Sequence, residues 1–364
     1  METRPGSSGI EDPTDLTEQG MSLRVLVTGH DGYIGRVLMP MLAHHGHKAV
    51  GLDMGLFEGC EFGEPPPARE AIRIDVREVE PAALEGFDAI IHLAGFSNDP
   101  LGDLNPSCTY EVNHGAAVAL GESARRAGVP LFIQSSSCSQ YGASGHDLVD
   151  ETADFRPVTH YAESKVLAER DLSRMASDTF SPVFLRSATA YGVSQRLRAD
   201  LVVNNLVGYA YTTGRVLIKS DGLSWRPLVH VEDISRAFLA VLHAPRELVH
   251  NRAFNVGRSG ESYRIREVAE IVADVVSGSR IELEEGAGPD VRCYRVDCRR
   301  IERTLPGYQP RWTVRDGVRE LYAAYSRHGL TLDELESSRY LRIRHVRELQ
   351  ASGRLDADLR WVRS

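Results

Sequence analysis

Lysine is nearly missing from this chain. Lys48, Lys165 and Lys219 stand among 42 lysine and arginine residues, so a positive charge is written as arginine almost everywhere and each lysine asks for a reason. Basic excess is lacking too: the formal net charge is −9, which argues against nonspecific nucleic-acid binding. No apolar run approaches a membrane span, and the N-terminus lacks the basic-then-apolar pattern of a secretory signal. Cysteines are few and odd in number (Cys60, Cys108, Cys138, Cys293, Cys298), with no Cys-x-x-Cys pair. Reduced thiols, a cytoplasmic location and no metal site are therefore expected. What is present is an ordinary globular composition, 42% hydrophobic and 26% charged. At 364 residues the chain exceeds one typical core, which predicts two lobes or a large α/β domain with an appendage.

Residues 1–20, rich in Gly, Ser, Pro, Asp and Thr without apolar periodicity, read as a disordered leader. Order is expected from the buried-strand run Leu23–Thr28, followed by Gly29-His-Asp31-Gly32-Tyr33-Ile34-Gly35 and a helical pattern through Val37, Leu38, Met41 and Leu42. A glycine turn between strand and helix lets backbone amides approach a pyrophosphate at the helix N-terminus. The spacing is Gly-x-x-Gly-x-x-Gly, and its place between strand and helix gives it weight. A second strand from Lys48 ends in Asp53, a carboxylate placed to bind both ribose hydroxyls of an adenosine. It would repel a 2′-phosphate, which favours NAD over NADP. A third strand ends at Asp75-Val76, with Asp75 a partner for the adenine amine, and a fourth runs from Phe87 to Leu93 before Ala94-Gly95. Alternating strand and helix periods mean a doubly wound parallel sheet of Rossmann type. A long helical pattern from Asn105 to Ala127 carries Asn113, read either as a brace for the site or as a surface residue.

The fifth strand, from Leu131, ends in Ser135-Ser136-Ser137, at the sheet edge where open α/β folds bind ligands; serines there also serve as turn formers. Then comes Tyr161-Ala-Glu-Ser-Lys165. Residues four apart share a helix face. A positive charge at roughly 5 Å, in an effective dielectric near 20, stabilises phenolate by about 3 kcal/mol. A phenol of ordinary pKa about 10 is thereby brought toward neutrality, where it can act as a general base.

With these residues in place, the chain resembles the extended short-chain dehydrogenase/reductases that modify nucleotide-linked sugars. The resemblance rests on the glycine loop, Asp53, Asp75, His92-Leu93-Ala94-Gly95, Asn113, Ser135-Ser-Ser-Cys-Ser-Gln-Tyr-Gly142, Tyr161 and Lys165. It continues through Trp225-Arg226-Pro-Leu-Val-His-Val-Glu-Asp233 and Phe254-Asn-Val-Gly257, and covers residues from about 22 to 325. It implies that Tyr161 takes the sugar C4 hydroxyl proton as hydride passes to NAD. Lys165 would hold the nicotinamide ribose, and Ser137 would hydrogen-bond the developing carbonyl. Ser97, Asn98, Ser139 and Thr189 would face the sugar; the family more often has Asn where Thr189 stands. Asn204 or Asn205, the latter preferred, would meet the diphosphate, for which the Arg226 guanidinium is also suited. Asp290 and Arg292 would belong to a loop closing on the nucleotide.

Dehydratases of this group carry an Asp-Glu pair after the catalytic hydroxyl, where this chain has Cys138-Ser139. Neither is a ready acid or base at neutral pH, which leaves redox chemistry at one carbon and predicts a 4-epimerase. A dehydratase, a 4-ketoreductase and a non-catalytic dinucleotide sensor are the alternatives. The organisation expected is an NAD-binding domain over 21–186, with 228–256 returning to it. A smaller C-terminal α/β substrate lobe would span 187–227 and 257–330, followed by a helical extension over 331–364. The extension, with Tyr340, Leu341, Ile343 and Val346 at helical spacing, is expected on the C-terminal lobe or a partner subunit. The resemblance also implies a homodimer through helices near 107–127 and 159–175.

Overall fold

A computed structural model describes residues 22–64, 70–97, 99–290 and 292–362; the expected leader and Asn98 lie outside them. Continuous β-branched and aromatic runs form the central sheet: β1 (Arg24–Thr28), β2 (Lys48–Asp53), β3 (Ala71–Arg73), β4 (Ala89–His92) and β5 (Leu131–Ser137). Strands Ser181–Ser187 and Arg252–Val256 complete it. The order is 252–256, 181–187, β5, β4, β1, β2, β3, parallel throughout. Val25, Leu26, Val27, Ile90, Ile91, Phe132, Ile133 and Val183 are fully buried, as expected where helices cover both faces of a parallel sheet. The order reverses between β1 and β4, and ligands bind at the carboxyl ends of strands beside such a switch.

The rest of the chain builds a smaller lobe. Strands Thr189–Tyr191, Trp225–His230 and Ser262–Arg264 form a three-stranded sheet, and Arg215–Ile218 pairs with Arg280–Leu283. Helices Val202–Thr213, Ile265–Val275 and Val314–His328 pack around them through a core including Val203, Leu206, Val268, Val318 and Leu321. Helix Val231–His243 and strand 252–256 return to the large sheet. No helix among the described residues is long and apolar enough to cross a membrane.

Two local features differ from expectation. The helix across 105–127 is interrupted: Pro106–Tyr110 and Ala116–Arg126 flank a π turn, Glu111–Gly115. Such wide turns are frequent at functional sites, and this one carries buried Asn113. The second difference is the C-terminal extension, expected on the small lobe or a partner. Tyr340 and Leu341 do pack on the small lobe. Beyond them helix Arg342–Ala351 crosses to the sheet domain, where Val346, Leu349, Leu355 and Leu359 pack on Leu56, Phe96, Leu101, Cys108 and Val112. The buried apolar stripe of that helix finds its complement in the loops after β2 and β4.

Candidate active site

One cavity of about 720 Å³ opens between the carboxyl edge of the sheet and the small lobe. Around the glycine loop it is lined by Gly29, Gly32, Tyr33, Ile34, Gly35, Asp53, Asp75, Val76, Leu93, Ala94, Gly95 and Ser135. Gly29 has φ +70°, and a Cβ there would lie 2.6 Å from the Ala94 backbone nitrogen. Only glycine allows this approach of the two loops. Asp53 accepts from the amides of Gly55 (2.8 Å) and Asp31 (3.2 Å). Burial raises its pKa, and the hydroxyls of a ribose diol are the donors such a carboxylate lacks. A glycine cradle with a buried carboxylate at the end of β2 thus fits a dinucleotide without a 2′-phosphate.

Three expected residues serve the cavity from behind. The Asp31 carboxylate turns away to Arg196 (2.6 Å) and Arg36, bracing the loop through its amide. Asn113 does not line the cavity. Its Oδ1 accepts from the Phe96 amide (2.8 Å), and its Nδ2 donates to the Phe96 carbonyl (2.9 Å) and Ser164 Oγ (3.1 Å). Buried Asn204 accepts from the Gly192 amide (3.0 Å) and donates to the Arg198 carbonyl (3.1 Å), whereas Asn205 reaches the cavity. Asp75 lines it too, but its carboxylate already holds Arg77 (2.6 Å) and caps the turn after β3.

Ser137, Tyr161 and Lys165 meet at the far end of the cavity. Helix His160–Ser173 starts at Thr159, whose side chain accepts from the Ala162 amide (3.2 Å), an N-cap of the usual kind. Tyr161, Lys165 and Glu169 follow at four-residue steps on one face. Ser137 Oγ accepts from the Ser139 amide (3.1 Å), which leaves its proton to be donated elsewhere. Lys165 Nζ donates to the Ser135 carbonyl (3.0 Å) and lies 5.8 Å from the Tyr161 ring centre. The pKa expectation for the phenol needs correcting. Burial raises the Tyr161 pKa, with a hydrogen bond to Ser137 offsetting part of the rise. Burial is the largest influence on Tyr161 and acts on Lys165 as well, whose pKa is pushed down to about 8.

A lysine buried at such a cost should destabilise the fold while it is charged. Lys165→Met is expected to stabilise the ligand-free protein at pH 7 by on the order of 2 kcal/mol, allowing for the lost Ser135 hydrogen bond. Below pH 8 the buried group is charged and the gain is full. As pH rises toward the ordinary lysine value of 10.5, the folded wild type sheds its proton first and the gain fades. Thermal melts across that range check this; an equal gain at both ends contradicts it.

Ser97, Ser139, Thr189, Asn205, Arg226, Asp290 and Arg292 also line the cavity. Arg226 pairs with Asp290 and donates to the Trp225 carbonyl (2.8 Å) and the Arg292 carbonyl. Arg292 holds Asp290 (2.8 Å) and reaches across to Asp99 on the sheet domain. Sequence reasoning missed Arg198, Lys219, Tyr294 and Arg342, all of which line the cavity. Lys219 carried a usable signal, being one of only three lysines.

The glycine cradle, the buried carboxylate at the end of β2 and the Ser137/Tyr161/Lys165 cluster share one cavity of a doubly wound α/β fold. The chain belongs to the NAD dependent epimerase/dehydratase family, whose profile matches residues 25–257, and NAD is its cofactor. It is 29% identical over 311 residues to a UDP-glucose 4-epimerase of Mycolicibacterium smegmatis, covering 81% of this chain and 96% of that protein. It is 28% identical over 323 residues to a dTDP-glucose 4,6-dehydratase of Streptomyces griseus, covering 85% and 95%. Among solved structures, MoeE5 in complex with UDP-glucuronic acid and NAD superposes with a TM-score of 0.72 at 27% identity, over 84% of this chain and 100% of that one.

Proposed function

We propose that this protein is an NAD-dependent nucleoside-diphosphate-sugar 4-epimerase. The observation that carries the reading is the lack of a free acid or base beside Ser137. The Cys138 thiol is fully buried, donates to the Arg186 carbonyl (3.0 Å) and has its pKa pushed far up by burial. Ser139, next along, offers only a hydroxyl. Among the described residues, every carboxylate lining the cavity is engaged. Asp53 takes two amides, Asp75 holds Arg77, Asp99 and Asp290 hold Arg292, and Asp200 holds Arg198 at 2.7 Å. Elimination of water from a sugar needs a proton acceptor and donor beyond the tyrosine, whereas 4-epimerisation needs neither.

NAD, when bound, supplies a hydride acceptor and donor and a positive charge that favours phenolate. Tyr161 takes the C4 hydroxyl proton while Ser137 donates to the oxygen that becomes the carbonyl. The 4-keto sugar would turn within the cavity so that the hydride goes back to the opposite face of C4, and Tyr161 returns the proton to the same oxygen. Because the two half-reactions cancel, no cofactor is consumed. A homodimer through the helices at 106–126 and 160–173 belongs to the same proposal, and a monomer in light scattering contradicts that part. The activity is tested by proton NMR of the purified protein with a panel of uridine and thymidine diphosphate sugars. Interconverting C4 epimers are expected. Loss of water or carbon dioxide would point to the dehydratase or decarboxylase branch, consumption of reduced cofactor to a reductase, and tight NAD binding without turnover to a sensor.

A further inference from the structure

The last stretch of the chain is tied across the mouth of the cavity at many points. Before helix 342–351, the Tyr340 carbonyl accepts from the Ala199 amide (3.1 Å), and Arg339 Nε donates to the Glu61 carbonyl (2.9 Å). Within the helix, a ring nitrogen of His345 meets the Leu56 carbonyl (2.9 Å). After it, Trp361 Nε1 donates to the Met54 carbonyl (2.8 Å), Asn105 to the Ala357 carbonyl (2.9 Å), and Arg77 to the Asp358 carbonyl (2.8 Å). The segment therefore bridges the small lobe, the loop after Asp53 and the helix at 106–110.

At the start of that helix Arg342 lines the cavity. Its guanidinium lies 3.8 Å from the centre of the Phe57 ring, and it has no hydrogen-bond or ion-pair partner among the described residues. Its Nε is shielded from solvent and unpaired. Arg198 and Arg196 act on it with charge of its own sign, against Asp200 and Cys60, and the Asp200 carboxylate is already chelated by Arg198 (3.1 and 2.7 Å). Burial pushes its pKa down to about 9. A half-buried guanidinium that borders a cavity, with its Nε shielded and unpaired, is suited to an anion held there. Arg198 locates the place. It donates to Ser97 Oγ (3.1 Å) after β4, and its charge acts on both Tyr33 of the glycine loop and Tyr161. A dinucleotide reaching from Asp53 at one end to Lys165 at the other passes its pyrophosphate through that middle ground.

We propose that the C-terminal segment is a strap that delivers Arg342 to the cofactor's pyrophosphate and retains the dinucleotide through turnover. The proposal rests on NAD as cofactor and not on the 4-epimerase reading, so it survives a different sugar chemistry. A guanidinium shared between two phosphates suits this role better than a point charge, and retention suits an enzyme whose cofactor is returned unchanged in each cycle.

The test is NAD binding and dissociation for the full chain and for Arg342→Met, which keeps the packing on Phe57, with Arg342→Lys as the conservative variant. Affinity is followed by calorimetry, and release by chasing bound NAD with excess unlabelled nucleotide. Arg342→Met is expected to weaken NAD roughly 10- to 100-fold, the loss of one charged contact, mainly through faster release. Arg342→Lys should recover part of the loss, and UDP affinity of the NAD-saturated protein should be unchanged. NAD affinity within twofold of wild type overturns the proposal. Weakened UDP binding with intact NAD binding overturns it too, since the anion would then be the sugar nucleotide's diphosphate. A lower melting temperature of the ligand-free variant would mean that Arg342 serves packing, and would equally defeat it.

Discussion

Tyr161→Phe is expected to lower kcat about 10³-fold, within the range that a positioned general base contributes, while leaving NAD and UDP affinity nearly unchanged. The phenylalanine ring fills the same space on helix 160–173, and what disappears is a hydroxyl that the fold withdraws from water at a cost. Folding stability should therefore hold or rise. The pH profile separates this from a packing effect. Because burial raises the phenol pKa, the base form grows with pH, so the wild-type kcat/KM should climb as pH rises and the residual rate of the variant should not. Single-turnover rates across pH provide the check. A loss below tenfold, or a variant that keeps the same rising limb, would show that another group takes the proton.

Glu169→Ala is expected to destabilise the protein by about 3–5 kcal/mol, the cost of stranding a buried charge. Glu169 and Arg186 are both buried; Arg186 Nε donates to the two carboxylate oxygens at 3.1 and 3.2 Å, and the guanidinium also donates to Tyr141 (2.9 Å). The same carboxylate accepts from Ser136 Oγ (3.1 Å), and Gln140 donates to that Ser136 oxygen (2.9 Å). This network lies directly behind the serine run and fixes the strand end from which Ser137 acts. Replacing Glu169 and Arg186 together by apolar residues of similar size should cost far less, because no charge is then left alone. Chemical denaturation of the three proteins decides it. A single-mutant loss under about 1 kcal/mol, the level of an exposed pair, would contradict the account.

How much of this was legible in the sequence depends on the distance between interacting residues. The sheet and the glycine loop were readable because each is a local pattern: a β-branched run, a turn only glycine can make, a helical period. Glu169 was equally readable in principle, following Tyr161 and Lys165 at the same four-residue step, yet its partner Arg186 lies on another strand and only the fold brings them together. The phenol pKa could not be reached from spacing, since spacing fixes the neighbour of Tyr161 but not the depth at which both groups are buried. Arg226, expected at a diphosphate, proved to be held by Asp290, a carboxylate more than sixty positions away in the chain. The apolar spacing around Val346 announced a buried face, but nothing local named Leu56, Phe96 and Leu101 as what it covers. Arg342, among so many arginines, carried no mark at all.

The central claim is redox chemistry at a single sugar carbon with cofactor returned, and a C4-deuterated nucleoside diphosphate sugar tests it most directly. The protein, loaded with NAD, is incubated with the labelled sugar that the NMR panel shows it accepts, and the products are followed by deuterium and proton NMR. The account predicts that both C4 epimers accumulate with the label still at C4, none of it in solvent, and no net build-up of reduced cofactor. Label appearing at C6 of a dehydrated product, or lost to solvent, would contradict it.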